Sequence, residues 1–137
     1  MNNPEQLLTE NGFYAATVHG HSMEPLLSDH RDTVYIEPCK TYRKRDVILF
    51  RRANGQLVLH RLIRTDGDVF LARGDNDRKA ETVTPSQILG VMTAFTRNGH
   101  TLYVTSRRYR LYSRLWCLSK PTTRLLQTVV RIGRRIR

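Results

Sequence analysis

A serine is inert toward amide bonds at neutral pH unless a base removes its proton and hydrogen-bond donors hold the oxyanion that follows. Two stretches of this chain could supply nucleophile and base. The first is Gly20-His21-Ser22-Met23-Glu24-Pro25, followed by Asp32-Thr33-Val34. The second, Val58-Leu59-His60-Arg61-Leu62-Ile63, sets His60 in an apolar β-type segment 38 residues after Ser22. Burial there holds an imidazole pKa near or below neutral and keeps the ring a proton acceptor. Ser22 and His60 are therefore the candidate catalytic pair. A histidine base also needs a group that fixes its tautomer and stabilises the imidazolium. His21 is a poorer base for Ser22, because neighbours on an extended chain point to opposite faces. His19 and His21 form an HxH pair, but two ligands without a third in pattern make a poor metal site, so neither metal nor cofactor is expected.

These residues need a scaffold, and from about Tyr14 to Tyr103 the chain reads as short β-rich runs separated by turns. Val34-Tyr35-Ile36, Val47-Ile48-Leu49-Phe50, Leu57-Val58-Leu59, Val69-Phe70-Leu71 and Ile88 to Phe95 are the candidate strands, with Leu102-Tyr103-Val104 after them. Asn54-Gly55, Asp66-Gly67 and Asn98-Gly99 separate such runs and suit the positive φ of tight turns. The expected fold is mainly β, an antiparallel meander of hairpins. After Thr105 apolar residues recur at helical spacing. Leu111, Leu115 and Leu118 share one face with Tyr112 and Trp116 beside it; after Pro121 a second stripe runs Leu125, Val129, Ile132, Ile136. Two amphipathic helices broken at Pro121 are expected. The organisation read from this is a catalytic domain over 1–105 and a basic helical tail over 106–137.

Charge divides at a nearby point. Residues 1–81 hold 12 Lys/Arg and all 12 Asp/Glu, whereas 82–137 hold 11 Lys/Arg and no acid, so the net +11 belongs to the C-terminal part. Such a block suits an anionic partner. An apolar face flanked by Tyr109, Tyr112 and Trp116 fits a lipid interface better than a phosphate backbone, so residues 107–137 are expected on an anionic membrane surface, with nucleic acid disfavoured. The N-terminal MNNPEQLLTENGF has no basic n-region and no apolar run, and no stretch reaches the apolar length needed to span a bilayer. Cys39 and Cys117 form no CxxC or zinc spacing and read as reduced thiols. The expected setting is cytoplasmic, peripheral on the inner face of the membrane.

The order GxSMxP, then Asp46-Val47-Ile48-Leu49-Phe50, then Leu59-His60-Arg61-Leu62-Ile63, then Arg73-Gly74-Asp75-Asn76 resembles the boxes of type I signal peptidases and LexA-like self-cleaving proteins over roughly residues 18–97. Four ordered boxes are far more specific than any one. The resemblance implies a serine endopeptidase acting on a peptide or protein precursor, with Ser22 as nucleophile and His60 at the base position. Most bacterial relatives carry lysine there; the histidine is similar to endoplasmic-reticulum and archaeal signal peptidases. Asp75 of the GDN box and Glu81, near where histidine-type relatives carry a second functional aspartate, are the two candidates to support His60. Gly20, Met23 and Pro25 fall on the oxyanion and substrate side. Gly20 stands where many signal peptidases have a serine, so backbone N–H groups, including that of Ser22, must hold the oxyanion. The family's two Gly-Asp turns read Arg31-Asp32 and Arg45-Asp46 here, which loses a residue tolerant of positive φ and implies altered turns. No helix-turn-helix pattern and no Ala-Gly or Cys-Gly cleavage site precedes the boxes, so repressor-type self-cleavage is not expected. The alternative is a non-catalytic peptide-binding or nucleic-acid-associated regulator on the same fold.

Overall fold

The computed structural model describes residues 4–116. Helix α1 (Pro4–Asn11) begins on a proline, whose missing N–H costs nothing in a first turn, and ends at Gly12, whose φ of +79° lets its N–H cap the carbonyl of Leu8. Eight strands follow: β1 (Tyr14–Thr17), β2 (Thr33–Glu37), β3 (Val47–Arg51), β4 (Leu57–Arg64), β5 (Phe70–Arg73), β6 (Glu81–Val83), β7 (Ile88–Arg97) and β8 (His100–Tyr103), with helix α2 (Arg107–Trp116) after them. Every pairing is antiparallel, in the order β1-β2-β7-β3-β4-β5-β6, with β8 also on β7.

The mainly β antiparallel fold is as expected, but it is not one continuous meander. Strands β3 to β6 run consecutively and β7 and β8 form a hairpin of their own, but β7 inserts between β2 and β3. Its ten residues let β3 pair with Ile88 to Val91 while β8 pairs with Ala94 to Arg97. Strands β1 and β6 escape the hydrophobic pattern because each is short and largely solvent-facing. Gly55, Gly67, Asn98 and Gly99 take the positive φ expected of their turns.

Strand alternation divides the core in two. Val47 and Leu49 pack with Met23, Leu27, Ile36, Met92 and Tyr109, whereas Ile48 and Phe50 pack with Val58, Leu62, Phe70 and Val83. Period-two geometry sends successive side chains to opposite faces, so all four apolar residues of β3 are buried, two on each side. On β4 the same rule separates His60 from Arg61.

At both of the turns that lack the family's glycine, a non-glycine residue takes a positive φ. Arg45 itself holds φ at +81°, pinned by its N–H to the Leu62 carbonyl at 2.7 Å and by Arg61 Nη1 on its own carbonyl at 2.9 Å. These bonds offset the roughly 1–2 kcal/mol that the left-handed region costs an L-residue. Before β2 the left-handed residue is His30 at +56°, one position ahead of Arg31.

The two sides of the first C-terminal helix have different surroundings. Tyr109 and Ser113 of α2 are buried against the domain, while Leu111 and Leu115 point outward at 61% and 37% exposure. Tyr109 joins the Val47/Leu49 core, and the hydroxyl of Tyr112 donates to Asp75 at 2.8 Å. Aromatic rings with a polar tip can satisfy a buried ion pair, which leucine cannot. The expected division after residue 105 thus falls just before a helix that shares the domain's core. Leu118, Pro121 and the stripe from Leu125 to Ile136 lie outside the described residues. No described helix is long and apolar enough to cross a membrane.

Candidate active site

Ser22 lies in the looped segment between β1 and β2, and His60 lies on β4. Both line one cleft, with His19, Gly20, His21, Met23, Arg52, Val58, Leu59 and Asp77 around them. The Ser22 loop is held at both ends. Asp32, fully buried, takes a bidentate pair from Arg97 (2.9 and 2.6 Å) and accepts the Ser28 N–H at 2.7 Å, while Arg97 also reaches the Leu26 carbonyl. At the other end the Gly74 to Asp77 turn grips the backbone at Ser22: the Asn76 N–H donates to the Ser22 carbonyl at 2.8 Å and the Asn76 amide to the His21 carbonyl at 3.1 Å. The Gly-Asp-Asn box is therefore the clamp of the serine loop.

His60 is buried to 5% exposure, with its ring edge-on to Phe50 at 5.9 Å. Glu81 Oε1 lies 3.2 Å from its Nδ1, and Asp77 Oδ2 lies 3.5 Å from its Nε2. The Glu81 oxygen stands off the N–H axis, so Nδ1 makes no hydrogen bond and remains a buried, unsatisfied ring nitrogen. Burial lowers the His60 pKa below its ordinary value, against the opposing pull of Asp77 and Glu81. The ring is thus neutral and able to accept a proton.

The two carboxylates left open by the sequence occupy different places. Glu81 is beside His60 and is aimed by Arg52, whose Nε and Nη2 donate to its two oxygens at 3.0 and 2.7 Å. That pair, first, holds the Glu81 carboxyl below its usual range. Asp75 instead receives a bidentate pair from Arg61 at 2.8 and 2.9 Å, in full burial, with Tyr112 on the same carboxylate and Tyr109 on Arg61. Burial and this carboxylate leave the Tyr112 hydroxyl protonated far above the usual tyrosine range. Arg52 and Asp77 were not anticipated; neither stands in a box, and only the fold of β3 and of the turn after β5 brings them to the imidazole.

On the oxyanion side Gly20 has φ +89° and its N–H is taken by Asp29 Oδ1 at 2.7 Å. Among the described residues no hydrogen bond occupies the Ser22 N–H, which leaves that donor for an anionic oxygen. Met23 lines the cleft but is anchored in the core at 2% exposure; Pro25 is buried after a cis peptide bond from Glu24. His21 is not paired with His19: its Nδ1 contacts Glu24 at 2.7 Å, which raises its pKa.

The family model described as Peptidase S24-like matches residues 1–93 and bears out the LexA and signal-peptidase superfamily resemblance read from the four boxes. No curated protein matches the chain.

Proposed function

The chain belongs to the Peptidase S24-like family, and we propose that within it the protein is a serine endopeptidase that cleaves a peptide or protein precursor with Ser22 as nucleophile and His60 as base. The observation that carries this reading is the shared cleft: a buried neutral imidazole and a half-buried serine line it together. In the reaction the Ser22 Oγ attacks the scissile carbonyl while His60 takes its proton, and the backbone N–H of Ser22 stabilises the oxyanion. The imidazolium then returns the proton to the leaving amine, and water, deprotonated in turn by His60, releases the acyl group. Glu81, fixed by Arg52, stabilises the imidazolium across the 3.2 Å to Nδ1. Asp75 supports the geometry without meeting the reacting atoms.

A fluorophosphonate probe tests this directly, because only an activated serine is phosphonylated. Labelling of the full chain that disappears in Ser22→Ala and in His60→Ala is the expected result. A folded chain that never labels would mark a peptide-binding member without catalysis. The place of action goes with this proposal: the Arg-rich segment over 107–137, with Leu111 and Leu115 outward, brings the enzyme to the anionic inner face of a membrane.

A further inference from the structure

His19 stands just before the Ser22 loop and His30 just after it, yet their rings meet edge to face with centroids 4.7 Å apart. Asp29 joins them. One ligand-type atom from each of His19, Asp29 and His30 lies within 4.8 Å of the other two. Three contacts build this arrangement. The left-handed φ of His30, +56°, turns the chain back, and its N–H locks onto the Val18 carbonyl at 2.7 Å, next to His19. Asp29 Oδ1 is oriented by the Gly20 N–H at 2.7 Å and lies 3.3 Å from His30 Nε2. A non-glycine residue in this backbone region persists only when its surroundings hold it there.

We propose that His19, Asp29 and His30 form a binding site for a borderline divalent cation of the Zn²⁺ class. Two imidazoles and a carboxylate are a ligand set that such ions prefer, with bonds of about 2.0–2.2 Å and a fourth tetrahedral position left to solvent. Both histidines are exposed, so their rings have room to change rotamer toward a shared ion. The Gly20 N–H on Asp29 is the outer hydrogen bond that orients a ligating carboxylate. Because the ligands flank residues 20–28, the ion ties together the two ends of the loop that carries Ser22. The site stands apart from the hydrolytic reading and survives or fails without it.

Metal-stripped full-length chain, incubated with ZnCl₂ and dialysed, should retain about one Zn²⁺ by atomic spectrometry, with matching stoichiometry by calorimetry. His19→Gln/His30→Gln should bind Zn²⁺ at least ~10-fold more weakly, since a lost ligand costs no less than a lost outer contact. Asp29→Asn, which keeps an oxygen for Gly20, should weaken it likewise and serves if the double variant fails to fold. Cys39→Ser should leave binding intact. Wild-type chain that retains no Zn²⁺, or histidine variants that bind it as tightly as wild type, would overturn the assignment.

Discussion

A Cβ placed on Gly74 would lie 2.5 Å from the carbonyl oxygen of Ser22 and 2.5 Å from Oδ2 of Asp77. The glycine of the Gly-Asp-Asn box thus serves by having no side chain: it lets the turn close on the Ser22 backbone while Asn76 donates to the same carbonyl. Gly74→Ala forces that backbone away. Overpacking of this kind typically costs about 1–3 kcal/mol. Chemical denaturation should show that loss, and the rate of fluorophosphonate labelling at Ser22 should fall with it. An alanine variant that labels at the wild-type rate would show that the contact does not position the serine.

Glu81→Gln and Asp75→Asn should separate catalysis from stability. Glutamine at 81 removes the charge that stabilises the imidazolium, and kcat should fall by orders of magnitude, toward the ~10⁴ seen when such a carboxylate is neutralised, with little change in unfolding. Asparagine at 75 leaves Arg61 buried without its carboxylate. Breaking one side of a buried pair costs about 3–5 kcal/mol, so Asp75→Asn should lose stability first. Comparable small activity losses from both would mean that His60 works without a carboxylate.

The depressed His60 pKa sets the sign of the pH dependence. The acid limb of kcat/KM, which reports the free enzyme, should lie below the ordinary imidazole value of 6.5, because the base stays neutral to lower pH. Asp77→Asn removes a charge that favours the imidazolium, so the limb should move further down.

Stability carries the same sign. Between the folded pKa and 6.5 the unfolded chain binds a proton at this position that the native chain does not, so stability falls as pH drops through that window. His60→Gln should flatten this slope in unfolding midpoints followed from pH 7 downward. An unchanged slope would assign it to other groups.

Leu111 and Leu115 lie four residues apart on the outer side of α2, among the exposed Arg107, Arg108, Arg110 and Arg114. The full chain should co-sediment with anionic vesicles at low salt, and Leu111→Glu/Leu115→Glu should sharply reduce the bound fraction. Tyr109→Phe, which alters the docked face, should not. Full-length chain that stays in the supernatant would end the membrane reading.

Much of this site was legible before folding was considered. Ser22 and His60 stand in ordered boxes, and the apolar run that carries His60 announces a strand locally, whereas Ser22 sits in a loop that the fold brings to the same cleft. Asp75 and Glu81 were distinguishable only in three dimensions. Their positions depend on sheet register, which pairs Ala72 with Glu81 and Arg61 with Arg73; a slip of one residue would turn Glu81 to the other face. Arg45 shows a related limit: the sequence shows a residue that disfavours a left-handed turn, and only the fold shows the two long-range hydrogen bonds that hold it there.

The linear pattern by itself determined the mainly β antiparallel character and the turn glycines, which depend on local propensity, and its ordered boxes marked the nucleophile and base candidates through their family resemblance. Tertiary structure alone decided that Arg61 and Asp75 form a buried pair sealed by Tyr109 and Tyr112, that Glu81 and Asp77 flank the imidazole, and that α2 docks by its tyrosines with its leucines outside. The physical reason is that a buried charge must find its partner wherever the fold brings one. The sequence separations of 14 from Arg61 to Asp75 and 48 from Arg61 to Tyr109 leave no periodic trace in the chain.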